Sequence, residues 1–282
     1  MVHPFGIWAA ALHPIRLCPG GERLVQTSRN AKLGRTMLRS SRWTSGWAVG
    51  DDACRSIGRP IVQQCGPLFI PDGDTHFAAL GEKIVDYQRA DREAAYSYVH
   101  DCSCVVDMGA HVGIFSRDFA ERFTRVWAFE PARKTRECLS LNVPSNVVIL
   151  PFVCSNMIGM RSLNYASTQS SGSTLVEDDP AVPIPVPLRP NRSEMVPAIP
   201  LDSLDIRTLG LLKMDIQGSE YVALQGSRET LLRCRPVILI EEKPLGNVGT
   251  EQSNIQKCAD FITALGATPR ERMNADRVYT FD

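Results

Sequence analysis

A carboxylate and two glycines lie where a short apolar strand turns into a helix. They are Asp107, Gly109 and Gly113, in the segment DMGAHVG. Glycine lets the backbone approach a ligand closely, and the free amides of the following helix face that ligand. The spacing is not the G-x-G-x-x-G of dinucleotide sites, because Ala110 and His111 stand where that motif makes room for a pyrophosphate. Asp107 would repel a pyrophosphate but suits an ammonium group, so the loop predicts a ligand with a cationic end.

A second carboxylate, Glu130, ends the next predicted strand. At that position of a doubly wound sheet, a carboxylate can accept hydrogen bonds from both hydroxyls of a ribose. A ribose at one end of a ligand and an amino acid at the other describe S-adenosylmethionine, which we therefore predict as the cofactor. The predicted cofactor-binding residues are Asp107, Gly109, Ala110, His111, Gly113, Glu130 and Ser155, the last directly after the third predicted strand.

Charged side chains gather again in KMDIQGSE, at the end of the fourth predicted strand. In a doubly wound sheet, the carboxyl ends of strands one and four border the crevice where ligands bind. Lys213 and Asp215 project to the same side, and Glu220 opens the next helix. S-adenosylmethionine donates a methyl group, and a hydroxyl that accepts it must lose its proton. We predict that Asp215 or Glu220 orients or deprotonates this hydroxyl, while Lys213 tunes the charge of the carboxylate. Glu241 and His111 are the other candidate bases. The alternative is a purely structural role, in which Lys213 and Asp215 form an ion pair and Glu220 stabilises the N-terminus of its helix.

Strands that alternate with helices must position these residues, and this rhythm predicts a parallel sheet with helices on both faces. The predicted strands are 104–108, 125–129, 146–154, 209–216, 236–241 and 277–281, and the helices are 113–123, 132–142, 220–234 and 250–265, after lead-in helices over 77–99. Seven prolines between Pro180 and Pro200 interrupt the rhythm and exclude helices and central strands. We predict an insertion at about 165–200 that, with His76, covers the acceptor pocket.

Composition places limits on the partners. The chain has 282 residues, of which 44% are hydrophobic, so it can bury a sizeable core. The formal net charge is zero, so the whole molecule has no bulk attraction to nucleic acid or anionic membrane. Residues 1–60 hold nine basic and three acidic residues and show no helix or strand period. They predict a basic, Arg/Ser/Gly-rich extension to a domain over residues 61–282.

Targeting signals and metal motifs are both weak. The apolar stretch Phe5–Leu12 is too short to span a membrane. The first basic residue of the chain follows this stretch, whereas in a secretory signal basic residues precede the apolar run. This pattern favours a cytoplasmic protein. The nine cysteines have no regular spacing, which favours reduced thiols and no metal site.

From about residue 72 to its end the chain resembles the FkbM family of S-adenosylmethionine-dependent methyltransferases. Five ordered blocks carry the resemblance: VVDMGAHVGIFS (Val105–Ser116), VWAFEP (Val126–Pro131), PLDSL (Pro200–Leu204), LLKMDIQGSEYVALQGS (Leu211–Ser227) and RPVILIEEK (Arg235–Lys243). The resemblance implies an α/β, Rossmann-like class I methyltransferase fold, doubly wound, with a mostly parallel seven-stranded sheet and an antiparallel edge strand. It also implies S-adenosylmethionine as cofactor and methylation of a hydroxyl on a sugar or other small metabolite.

The family's motifs map onto individual positions. The matching residues are Asp107, Gly109 and Gly113 in the cofactor loop, Glu130 as the ribose carboxylate, and Asp215, Gly218 and Glu220 in the block usually written K-x-D-x-E-G-x-E. Two residues depart from the pattern: Gln217 stands where Glu is common, and His111 stands where Asn is common.

Two other functions stay open at this point. One is a catalytically silent methyltransferase-like domain that binds a partner, and the other is a nucleotide-cofactor oxidoreductase, which Asp107 and its loop oppose. The acceptor atom is open as well, because O-, N- and C-methyltransferases share this sheet and loop.

Overall fold

The computed structural model describes residues 62–165, 174–176, 192–242 and 249–282. The predicted extension over residues 1–60 and most of the proline-rich stretch lie outside these ranges. Within them, no helix combines the length and the apolar character needed to cross a membrane.

The described chain alternates strands with helices. In chain order the strands are β1 (Val62–Cys65), β2 (Leu68–Pro71), β3 (Cys104–Met108), β4 (Arg125–Phe129), β5 (Val147–Leu150), β6 (Val153–Cys154), β7 (Gly159–Tyr165), β8 (Thr174–Val176), β9 (Arg192–Ile199), β10 (Leu211–Met214), β11 (Val237–Glu241), β12 (Ala267–Met273) and β13 (Asp276–Phe281). The α-helices are α1 (Thr75–Ala78), α2 (Arg89–Tyr96), α3 (Ile114–Arg122), α4 (Arg133–Asn142), α5 (Glu220–Gln225), α6 (Arg228–Cys234) and α7 (Gly249–Ala264), and short 3-10 helices cover Gly81–Asp86 and Leu201–Ser203.

Seven strands form the central sheet, in the order β12-β13-β11-β10-β3-β4-β5. The pairs from β11 to β5 are parallel, and β13 runs antiparallel to both β11 and the edge strand β12. This is the mostly parallel seven-stranded sheet, with its antiparallel pairing at one edge, that the sequence predicts.

The central strands read as continuous apolar runs because both of their faces are covered. Alternate residues enter opposite cores, so that Val106 and Leu212 pack on one side of the sheet, and Val105 and Leu211 on the other. Asp107 and Lys213 share the parity of the second pair and are register partners on β3 and β10. The pleat therefore places a carboxylate beside an ammonium in the middle of the sheet.

The insertion differs from its prediction, because its described part is a sheet. Strands β6, β9, β7 and β8 pair in that order, and β9 contains Pro197. Proline is tolerated because β6 pairs only with Ala198 and Ile199, so β9 has a neighbour on one side only at Pro197. The prediction that this proline density excludes central strands was wrong at β9, which lies between β6 and β7.

Other element boundaries also shift. The predicted strand 146–154 divides at Pro151 into β5 and β6, and the predicted helix 220–234 divides into α5 and α6. The second break lies at Gly226, where an added Cβ would overlap the carbonyl oxygen of Ser155. The lead-in forms three short helices, and β12 was not anticipated.

Leu212→Ala tests the central role of β10. Leu212 is fully buried between the helices and the sheet, so the substitution should lower the free energy of unfolding by about 2–5 kcal/mol in urea titrations. Leu141→Ala is the matched control, because Leu141 is 55% exposed on α4. Similar losses in the two variants would contradict this account of the core.

Candidate active site

A cavity of about 300 Å³ opens at the carboxyl ends of β3, β4, β10 and β11. Its volume is at the lower end of the range typical of small-molecule sites. Of the predicted site residues, those that line it are Gly109, Ala110, His111, Glu130, Lys213 and Asp215. Four others, Asp107, Gly113, Ser155 and Glu220, are buried or packed nearby and are not among its lining residues.

Both loop glycines are dictated by protein packing. Gly109 has a φ of +81°, and a Cβ there would overlap the carbonyl oxygen of Asp215. Gly113 has a φ of +92°, and a Cβ there would lie 2.6 Å from the Cδ1 of Leu139. The amides of Gly109 and Ala110 both donate to the Phe129 carbonyl, at 3.1 and 3.0 Å. The loop is thus fixed to the ends of both neighbouring strands.

Glu130 holds this loop against the start of α4. Its Oε2 accepts from the His111 amide at 2.8 Å, and its Oε1 accepts from the Ala132 amide at 2.9 Å and the Thr135 hydroxyl at 2.7 Å. Burial raises the pKa of Glu130, against the lowering effect of these hydrogen bonds. With one bond at Oε2 and two at Oε1, the carboxylate retains room for one further donor at Oε2.

The partner of Asp107 is internal. Its Oδ1 lies 3.2 Å from Lys213 Nζ, and its Oδ2 accepts from the Ser116 hydroxyl at 2.6 Å. Lys213 also donates to the carbonyl of Gly109 at 2.9 Å and lies over the ring of Phe115. Burial opposes the charge of Lys213, but the carboxylates of Asp107 and Asp215 outweigh it and raise its pKa. Lys213 thus stands where the sequence argument expected the ligand's ammonium group.

Asp215 and Glu241 form a carboxyl pair in the cavity wall. The side-chain amide of Gln217 donates to Asp215 Oδ1 at 2.6 Å and to Glu241 Oε2 at 3.0 Å. Burial, together with the charge of Asp215 and a hydrogen bond to it, raises the pKa of Glu241 well above its ordinary value. Glu241 therefore binds its proton more tightly than an ordinary glutamate does.

Glu220 stabilises the turn that precedes α5. Its Oε1 accepts from the amides of Ile216 and Gly218, both at 3.1 Å, and its Oε2 accepts from Asn254 at 3.1 Å. Burial raises the pKa of Glu220, while the amide hydrogen bonds lower it. This arrangement holds the turn that carries Gln217 into the cavity. It gives Glu220 a positioning geometry, outside the cavity wall.

Sequence reasoning missed the aromatic side of the cavity. Phe77, Tyr87 and Gln88 line it together with His76, which the sequence did single out. The ring centroids of Phe77 and Tyr87 are 5.2 Å apart, and Phe77 also lies 5.2 Å from His111. These residues come from short helices without a motif, so only their aromatic content could have indicated them. From the described part of the predicted insertion, Leu163 reaches the wall.

The profile of the family described as "Methyltransferase FkbM domain" matches residues 107–267, more than half of the chain. The chain belongs to the FkbM methyltransferase family. No curated relative matches the sequence significantly.

Solved structures of methyltransferases are similar to the chain at low identity. The FkbM methyltransferase from Methylobacillus flagellatus KT is 18% identical with a TM-score of 0.43, over 64% of this chain and 43% of that chain. The chain thus spans less than half the length of that protein. Magnesium protoporphyrin IX methyltransferase from Synechocystis PCC 6803, solved with bound SAM, is 10% identical with a TM-score of 0.37, over 71% of this chain and 81% of that chain.

S-adenosylmethionine is the cofactor of this FkbM domain, whose sheet is that of the class I methyltransferases. The residues present fit that cofactor. Glu130 can accept a hydrogen bond from a ribose hydroxyl at Oε2, and the loop at Gly109 forms the adjoining wall of the cavity. Asp215, which lines the cavity beside this loop, would repel a pyrophosphate. This carboxylate opposes the oxidoreductase alternative.

Lys213→Met tests the ion pair beneath the loop. It leaves the Asp107 carboxylate buried without its cation, so the free energy of unfolding should fall by about 3–5 kcal/mol. The double variant Lys213→Met/Asp107→Leu should recover most of that loss in urea titrations. Arg89→Met, which removes an exposed ion pair, is the control and should change little. A loss in the double variant as large as in Lys213→Met would contradict the pairing.

Glu241→Gln tests the carboxyl pair through pH. Because the folded-state pKa of Glu241 is raised, its contribution to stability is complete below the unfolded pKa, 4.5, and is lost as pH rises through the folded pKa. The variant should therefore flatten the decline in the free energy of unfolding between about pH 5 and pH 9. Asp276, whose pKa burial raises to about 7, contributes with the same sign and remains in the variant. An unchanged pH profile would disprove the shift.

Proposed function

We propose that this chain transfers the methyl group of S-adenosylmethionine to a hydroxyl of a sugar or other small metabolite, with Asp215 as the base. The observation that carries the proposal is the carboxyl pair of Asp215 and Glu241, which lines the same cavity as the cofactor loop and is held by Gln217. The family supplies methyl transfer in general, and the pair supplies the proton acceptor that a hydroxyl requires.

S-adenosylmethionine, when bound, supplies an electrophilic methyl group. Asp215 would orient the acceptor hydroxyl towards that methyl group and take the proton that the hydroxyl loses on methylation. The pKa of Glu241 is raised, so this carboxyl group, which shares the Gln217 amide with Asp215, holds a proton more tightly than an ordinary glutamate does. Alignment of the reacting atoms by the cavity walls contributes much of the rate.

Lys213 and Glu220 have supporting roles in this proposal. Lys213 fixes the loop through Asp107 and Gly109, and Glu220 fixes the turn of Gln217. Of the three residues that the sequence singled out for catalysis, Asp215 is the one we place against the acceptor. Lys213 and Glu220 are positioning residues.

The cofactor site is tested by calorimetric titration of S-adenosylmethionine, S-adenosylhomocysteine and NAD into the full chain. We expect the two sulfur compounds to bind and NAD not to bind. Glu130→Ala removes the acceptor at Oε2 and the bond to the His111 amide, and should weaken binding at least about tenfold. Glu137→Ala on exposed α4 surface is the control. Undiminished binding in Glu130→Ala would remove Glu130 from the site.

The base is tested by transfer of a radiolabelled methyl group from S-adenosylmethionine to a panel of sugars and other small alcohols. Asp215→Asn keeps an acceptor for Gln217 but cannot take a proton, so turnover should fall by about 10²–10⁴-fold while cofactor affinity is retained. Asp205→Asn, at an exposed carboxylate, should leave turnover unchanged. Full turnover in Asp215→Asn would move the base to another residue. Cofactor binding without transfer to any acceptor would favour a silent binding domain.

A further inference from the structure

The order of the strands separates a cofactor side from an acceptor side of the cavity. Glu130 follows β4, the Gly109 loop follows β3, and Asp215 follows β10. Neighbouring strands lie about 4.8 Å apart, so a ligand that reaches from β4 to β10 crosses two spacings. The ends of β11 and β13 lie beyond that span. Under the proposed methyl transfer, this further end is where the acceptor binds.

The acceptor side is rich in carboxyl groups. Glu241 ends β11, and its register partner across the antiparallel pair is Asp276, the first residue of β13. Asp276 is 4% exposed, and the described part of the chain gives its side chain no hydrogen bond or ion pair. Its charge raises the pKa of Glu241, and the charge of Asp215 raises the pKa of Asp276 itself. An unpartnered carboxylate thus lies behind the cavity wall at this end.

In the described residues, neither Glu241 nor Asp276 forms a salt bridge. Lys213 lowers the pKa of Asp276 through its charge, but it is paired with Asp107 and the Gly109 carbonyl. The fold thus places the buried Asp276 and the half-buried Glu241 at this end of the cavity without a salt bridge to either. Tyr87 completes the wall with an aromatic face, which attracts cations.

We propose that the acceptor carries a protonated amino group beside its hydroxyl, and that this ammonium group binds at Glu241, backed by Asp276, against the ring of Tyr87. The acceptor class is then an amino sugar or a small amino alcohol. The inference rests on the proposed function, because it assigns this end of the cavity to the acceptor.

Binding of an ammonium group has a consequence for protons. The titratable groups that interact electrostatically with Glu241 are Tyr87, Asp215, Glu220 and Asp276. An ammonium group at Glu241 favours the ionised carboxylate, so the proton held by Glu241 leaves to the buffer. A neutral acceptor of the same shape releases no proton.

The test is calorimetry on the full chain saturated with S-adenosylhomocysteine, in two buffers of different ionisation enthalpy. The probes are glucosamine against glucose and N-acetylglucosamine, and ethanolamine against ethylene glycol. We expect at least one amine to bind about tenfold or more tightly than its neutral counterparts, with proton release at neutral pH. Asp276→Asn should reduce this preference and leave the affinity for S-adenosylhomocysteine unchanged. Asp205→Asn is the exposed control.

Several outcomes would overturn the inference. Equal affinity for amines and neutral probes, or no binding of any amine, would remove the ammonium site. Weaker S-adenosylhomocysteine binding in Asp276→Asn would assign the carboxylates to the cofactor. Methyl transfer to neutral sugars without a preference for amines would overturn the inference while the proposed function stands. Tight, proton-releasing amine binding without methyl transfer would support the site and overturn the proposed function.

Discussion

The ammonium group of Lys213 is the interaction on which the site depends. It joins the Asp107 carboxylate on the neighbouring strand and the Gly109 carbonyl at the start of the cofactor loop. Without it, a carboxylate would be buried uncompensated in the middle of the sheet. The same side chain therefore compensates the buried charge of Asp107 in the sheet and fixes the Gly109 loop at the cavity.

The carboxyl groups near this ion pair have different hydrogen-bond donors, and their roles differ accordingly. Glu220 accepts from two amides of its own turn and from Asn254, so it shapes the backbone. Glu130 ties the His111 amide to the start of α4 and keeps room for one more donor at Oε2. Asp215 and Glu241 have a single side-chain amide donor between them, Gln217, so they remain available to a ligand.

The sequence was sufficient for the parallel strands of the sheet, because they are encoded locally. Apolar runs such as Cys104–Met108 are long enough to predict buried parallel strands. It was not sufficient for β9, since proline at one-sided pairing positions looks like proline in a loop. Nor could it place Asp276 beside Glu241, because that contact depends on the register of an antiparallel pair between strands 35 residues apart in the chain. For the same reason, the sequence did not reveal that the cation beside Asp107 is Lys213, because this lysine lies on a strand far along the chain.

The contact between Gly109 and the backbone of Asp215 sets the distance between the Gly109 loop and the Asp215 segment. The two segments touch so closely that no side chain fits between them, and the amide of Asp215 also donates to the Met108 carbonyl at 3.2 Å. The Gly109 loop and the backbone of Asp215 are therefore held at a fixed spacing. A reaction that needs three atoms in line benefits from such a fixed span, since the alignment is in place before either molecule arrives. Diversity in what is methylated must then arise from the lead-in helices and the small sheet, which border the cavity without setting that span.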